Sequence, residues 1–134
     1  RDLLNKNAAA FLRPDPALAG GITNVRKIAA LAEANYIELI PHNPLSWVNA
    51  VASLHLCASV QNVAMLEHHI QGNVLESAFD EVFTGIPTLE NGHLVVPDRP
   101  GLGIELNDEA LKAYPPTSGQ RPPVIRPDGS LRDY

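Results

Sequence analysis

The chain has 134 residues, 45% of them hydrophobic and 19% charged, which is ordinary soluble material for about one domain. A formal net charge of -5 without a basic run excludes the clustered Lys and Arg that phosphate neutralisation demands, and no apolar run approaches the roughly 20 residues of a membrane span. Cys57 is the single cysteine, so an internal disulfide is excluded and a reducing, cytoplasmic setting is expected.

In chain order, Arg1 to Lys6 reads as the tail of a helix with Leu3 and Leu4 as its apolar side. Because the first residue is arginine and not methionine, a preceding stretch is expected to be missing or removed. Ala8 to Leu12 is a short buried strand that ends at Arg13-Pro14-Asp15-Pro16, where two prolines flank an ionisable side chain. Gly20-Gly21 supplies a turn free of Cβ restriction, and Thr23 or Asn24 is the expected cap of the helix that follows. From Val25, the residues Val25, Ile28, Ala29 and Ala32 recur at helical spacing, and this helix is expected to end near Asn35.

Tyr36 to Pro41 is mostly continuous aliphatic sequence, the pattern of a strand buried on both faces. It stops at His42, which Pro41 and Pro44 hold between two restricted backbone positions. A helix is predicted from about Ser46 to Ser59 with Val48, Val51, Ala52, His55 and Ala58 on one side. Val63 to Leu66 is a third short apolar run, and it ends in Glu67-His68-His69. Three strands alternating with helices predict a parallel sheet, so Asp15, His42 and Glu67 would open onto one mouth at neighbouring-strand spacings of about 4.8 Å.

Eight of the twelve prolines follow Thr84, so the last third of the chain cannot be built of long helices or central strands. Residues 1–70 are therefore expected to form the strand-and-helix layer, and residues 71–134 a separate segment packed on it. In that segment Phe79, Val82 and Phe83 predict a short helix, Ile86 to Pro97 a hairpin about Glu90-Asn91-Gly92, and Pro100-Gly101-Leu102-Gly103 a tight loop. Asn107 or Asp108 is expected to cap a last helix through Lys112, ahead of a proline-rich tail.

Each candidate side chain also has a structural reading. A histidine after a buried strand is often a hydrogen-bonded structural residue, Asp15 can serve its local turn, and Glu67 can be an ordinary strand-end carboxylate. His68 and His69 invite a metal reading, but neighbours on an extended strand point to opposite faces and do not readily share one ion. Trp47 is either a pocket wall or a packing residue, while His55 and Cys57 read as structural.

Taken together, Arg13-Pro14-Asp15 with Ala19-Gly20-Gly21-Ile22-Thr23, Ile28 to Ala32, Pro41-His42-Asn43-Pro44, Ala52 to Leu56, Glu67 and Pro100-Gly101-Leu102-Gly103-Ile104-Glu105 resemble the C-terminal third of the enolase superfamily. Within it the match is to the mandelate racemase subgroup and most closely to galactonate dehydratase-type sugar-acid dehydratases. The resemblance implies an α/β fold, the C-terminal part of a modified (β/α)₇β TIM-like barrel plus the C-terminal segment of an α+β capping domain. It implies that Asp15 and His42 form a His-Asp dyad that removes the proton α to a carboxylate, with Glu67, protonated, bonding the substrate carboxylate. Pro44, Trp47 and His68 would bind the substrate beside them. Mg²⁺ is the implied cofactor, with its ligands on earlier strands and none in this chain. The implied partners are a sugar-acid substrate, the rest of the barrel as missing sequence or a second chain, and further copies in a homo-oligomer. A racemase or epimerase using the same dyad, and a non-catalytic fragment of the fold, remain alternatives.

Overall fold

In the computed structural model, which describes residues 1–43, 46–68, 81–115 and 128–130, two short parallel pairings set the frame. β1 (Phe11–Leu12) pairs with β2 (Glu38–Leu39), placing Phe11 opposite Glu38 and Leu12 opposite Leu39, and Leu39 bridges in parallel to Val63. Parallel neighbours need a crossover in place of a tight hairpin. α2 (Gly21–Glu33) supplies it between β1 and β2, and α3 (Trp47–Ser59) between β2 and the Val63 segment.

The three apolar runs therefore lie side by side in the expected order, with regular pairing shorter than the runs. Pro14 and Pro41 carry no N–H and cannot extend a ladder as donors. The backbones still run together past them: the Ile40 N–H donates to the Leu12 carbonyl (2.9 Å) and the His42 N–H to the Pro14 carbonyl (3.1 Å). That last bond sets the His42 backbone beside the turn carrying Asp15.

Leu39 is the centre of the core. It is fully buried and packs with Leu4, Ala29, Ala32 and Ile37, to which Leu12 and Val60 add their side chains. Burying a leucine of this kind is worth about 1.5–3 kcal/mol. The small Ala29 and Ala32 let α2 lie close to β2, as the helical spacing predicted. α1 (Asp2–Asn5) gives the core only Leu4, because Leu3, one step around so short a helix, is turned out to solvent.

Two helix expectations need correction. α2 starts at Gly21 with Gly20 as its cap residue and no side-chain cap, so Thr23 and Asn24 lie inside the helix. Gly20 and Gly21 have φ of 86° and 87°, a left-handed lead-in open to glycine, and a Cβ at Gly20 would strike the Asn24 side chain. On α3, Val48 and Ala58 are exposed, whereas Asn49 to Leu54 and Leu56 are all buried. The helix is enclosed on more than one side, because α2 packs on it and the His55 Nε2–H donates to the Leu102 carbonyl (3.1 Å) of the Gly101–Gly103 loop.

β3 (Phe83–Thr84) pairs antiparallel with β6 (Glu105–Leu106), so Phe83 begins a strand and does not continue a helix. β4 (Leu89–Glu90) and β5 (His93–Leu94) form the expected hairpin, whose Asn91 and Gly92 both have positive φ, the requirement of a two-residue turn matching strand twist. α4 (Asp108–Ala113) is capped by Asn107, whose Oδ1 accepts from the Ala110 N–H (3.3 Å). Phe79, His69 and most of the proline-rich tail lie outside the described residues. Among the described residues no helix is long and apolar enough to cross a membrane.

Candidate active site

Asp15 sits in the turn after β1, where its carboxylate has two employments. Oδ1 accepts from the Ala17 N–H (2.8 Å), closing the local turn, and Oδ2 lies 3.1 Å from Nδ1 of His42. A carboxylate oxygen accepts, so Nδ1 carries the hydrogen and Nε2 is left with the basic lone pair. The Asp15 side chain is buried and the imidazole is 37% exposed, a solvent-reachable ring oriented by a fixed anion. One side chain thus both closes its local turn and contacts the His42 imidazole.

Glu67, at the end of the third run, is tied to the same place by different atoms. Its Oε2 accepts from the Asn43 N–H (2.9 Å) and from Nη2 of Arg13 (2.7 Å). Asn43, buried between His42 and Pro44 in sequence, also donates its Nδ2–H to the Glu67 carbonyl (3.2 Å). In the chain without substrate, the surroundings of Glu67 favour its charged form. The backbone N–H of Asn43, then the Arg13 guanidinium with help from His42, lower its pKa and outweigh the opposing effect of partial burial.

The sign follows for pH. A lowered folded-state pKa means that the ionised Glu67 adds stability above the usual carboxylate range and loses it as pH falls through that lowered value. Since its side chain is 37% exposed, solvent screening keeps the contribution small. Urea unfolding of full-length wild type and Glu67→Gln at steps from pH 7 to pH 3 is expected to show a stability gap that closes in acid. A gap that widens in acid would contradict the assigned charge.

Trp47 and His68 meet at the same end of the sheet, their ring centroids 5.8 Å apart and inclined at 49°. One opens α3 and the other follows Glu67, so together they form an aromatic wall on that side. Pro44 lies outside the described residues. Cys57 is not poised as a nucleophile: burial pushes its thiol up to about 11, against a smaller lowering by its own backbone N–H. Among the described residues no three His, Cys, Asp or Glu side chains gather as metal ligands.

Three residues of this cluster escaped the sequence reading. Arg13 had a signal, since positions 13 and 15 share a side of an extended chain. Asn43 and Asn49 had none beyond their proximity to His42. The amide of Asn49 accepts from the Ala17 N–H (3.2 Å) and donates to the His42 carbonyl (3.3 Å).

Residues 1–110 match the family described as Enolase C-terminal domain-like. The chain belongs to the Enolase C-terminal domain-like family. It is 39% identical over 135 residues to a D-galactonate dehydratase family member of Streptomyces bingchenggensis, covering 98% of this chain and 32% of that protein. It is 34% identical over 113 residues to the arabinonate dehydratase of Saccharolobus solfataricus, covering 84% of this chain and 29% of the relative. The crystal structure of an enolase from Pantoea ananatis with bound D-gluconate and Mg superposes with a TM-score of 0.77 at 30% identity, over 88% of this chain and 28% of that one. The chain thus spans about a third of the length of the relatives it matches. In the fold of the enolase superfamily its helices and parallel strands are a C-terminal part, as the resemblance implied.

Proposed function

We propose that this chain is the C-terminal portion of a Mg²⁺-dependent acid-sugar dehydratase of the galactonate type, in which His42 removes the proton α to the substrate carboxylate. The observation that carries the reading is the 3.1 Å contact between the His42 imidazole and the buried Asp15. With Nδ1–H held by a carboxylate, Nε2 takes the proton, and the anion behind the ring stabilises the imidazolium that forms. Electrons released from the Cα–H bond enter the carboxylate as an enediolate. Their return expels the β-hydroxyl, which leaves as water by taking a proton from a general acid that an earlier strand would supply, and the enol product tautomerises to a 2-keto-3-deoxy acid.

Glu67 stays ionised in this scheme, so a substrate carboxylate beside it needs an offsetting cation. Arg13, paired with Glu67 at 2.7 Å and half exposed, supplies that charge on the substrate side of the strand ends. Trp47 and His68 form the wall against the remaining carbons of the substrate. The described residues do not provide a cation site, and the magnesium reading draws its support from the bound Mg of the Pantoea ananatis enolase. Ligands on earlier strands would hold that ion, whose part is to neutralise carboxylate charge.

The test uses the full-length protein and a panel of five- and six-carbon sugar acids with magnesium or with excess chelator. Formation of a 2-keto-3-deoxy acid from at least one of them, abolished by chelator and restored by Mg²⁺, is expected. Exchange of the α-proton with D₂O without elimination would replace the dehydratase by a racemase, and absence of both exchange and product would end the proton-abstraction reading.

A further inference from the structure

We infer that Asn49 is a positioning residue that fixes Asp15 against His42, by holding the loop that carries each of them through one buried amide. Its role rests on the proton-abstraction reading above, because it acts only through the dyad. Asn49 is only 5% exposed and points its two polar atoms at two loops far apart in sequence. Oδ1 accepts from the Ala17 N–H at 3.2 Å, and that same N–H donates to Oδ1 of Asp15 at 2.8 Å. Nδ2 donates to the carbonyl of His42 itself at 3.3 Å.

An amide alone among side chains of this length offers an acceptor and a donor from one terminus, which is what these two partners need. A buried amide destabilises a helix interface unless it is bonded, so an apolar residue would serve mere packing of α3 better. The mount is rigid as well. The Asn49 N–H donates to Oγ of Ser46, the cap of α3, at 3.4 Å, so the backbone under the amide is held at the helix start. Among the described residues, the His42 N–H bond to the Pro14 carbonyl is a further tie between the two loops. A catalytic base displaced by about 1 Å loses on the order of 10²-fold in rate.

Asn62 provides the matched comparison. Its Nδ2 donates to the Ala29 and Ile37 carbonyls at 3.1 and 3.0 Å, two backbone bonds made at the other end of the sheet from His42. Full-length wild type, Asn49→Ala, Asn49→Asp, Asn62→Ala and His42→Ala are compared for kcat, KM, melting temperature and the primary isotope effect with α-deuterated substrate. Asn49→Asp is isosteric and keeps the acceptor for Ala17 while removing the donor to His42, so it serves where the alanine variant does not fold.

Both Asn49 variants are expected to lose about 10- to 100-fold in kcat with KM within about threefold, and to show an isotope effect larger than wild type because proton transfer becomes slower. Asn62→Ala is expected to lose melting temperature while keeping kcat. Asn49 variants with kcat within twofold of wild type would overturn the assignment, as would a loss of kcat matched by Asn62→Ala. If His42→Ala itself retains full activity, the dyad reading fails first and Asn49 falls with it. Loss in His42→Ala with full activity in Asn49→Asp rejects Asn49 alone.

Discussion

Replacing His42 by alanine in the full-length protein is expected to lower kcat/KM by about 10²- to 10⁴-fold, the range that a positioned general base contributes. KM is expected to change little, since the imidazole contributes to proton transfer more than to substrate binding. The companion change, Asp15→Asn, keeps volume but replaces an acceptor-only carboxylate by an amide that can donate. An Nδ1 that accepts from this amide leaves the hydrogen on Nε2, the nitrogen that must be basic. A loss of about 10²- to 10⁴-fold is expected, by analogy with other His-Asp pairs in which the tautomer is lost. The measurement is incorporation of solvent deuterium at the α-carbon alongside product formation, because it reports proton abstraction even where elimination is slow. Asp15 is buried at 3.1 Å from the ring and is held in its turn by the Ala17 N–H. Wild-type exchange in either variant would remove the dyad from the mechanism.

What the sequence disclosed about this site was decided by how local each signal is. Pro41-His42-Asn43-Pro44 after an apolar run places a strand end and a histidine through φ restriction alone, and the structure puts His42 there. The pairing of that histidine with Asp15 is a contact across a crossover helix. No local pattern encodes it, and the expectation came from resemblance in several separated segments. The helix start at Gly21 was misplaced because two glycines read as a turn, whereas their left-handed φ values feed directly into the helix. The charge of Glu67 is equally hard to read from local pattern. Its protonation depends on Arg13 and on a backbone N–H of Asn43, and neither is near it in the chain. Asn49 looked like an ordinary residue of a first helical turn, since a hydrogen bond to another loop leaves no periodic trace.

Leu39→Ala is expected to cost about 2–5 kcal/mol of stability, the range for removing a fully buried leucine from a packed core. Leu39 occupies the strand position where all three parallel runs meet: it pairs with Leu12, its N–H donates to the Asn62 carbonyl (2.8 Å), and its carbonyl accepts from the Ala64 N–H (3.0 Å). Its side chain fills the space under α2 between Ala29 and Ala32, whose methyl groups cannot extend to close a cavity. The backbone bonds survive the substitution, so the loss comes from apolar contacts and the void, and relaxation of α2 sets where in the range it falls. Urea unfolding of the full-length protein followed by far-ultraviolet dichroism measures it, with Leu3→Ala at an exposed position of α1 as a control expected within about 0.5 kcal/mol of wild type. His42 follows the end of the same strand by three residues, so Leu39→Ala is also expected to lower kcat while the protein remains folded. Asp15 and His42 then stand on strands whose packing under α2 is loosened, even though neither is touched. Wild-type stability in the Leu39→Ala protein would mean that the three runs are held together by something other than this core.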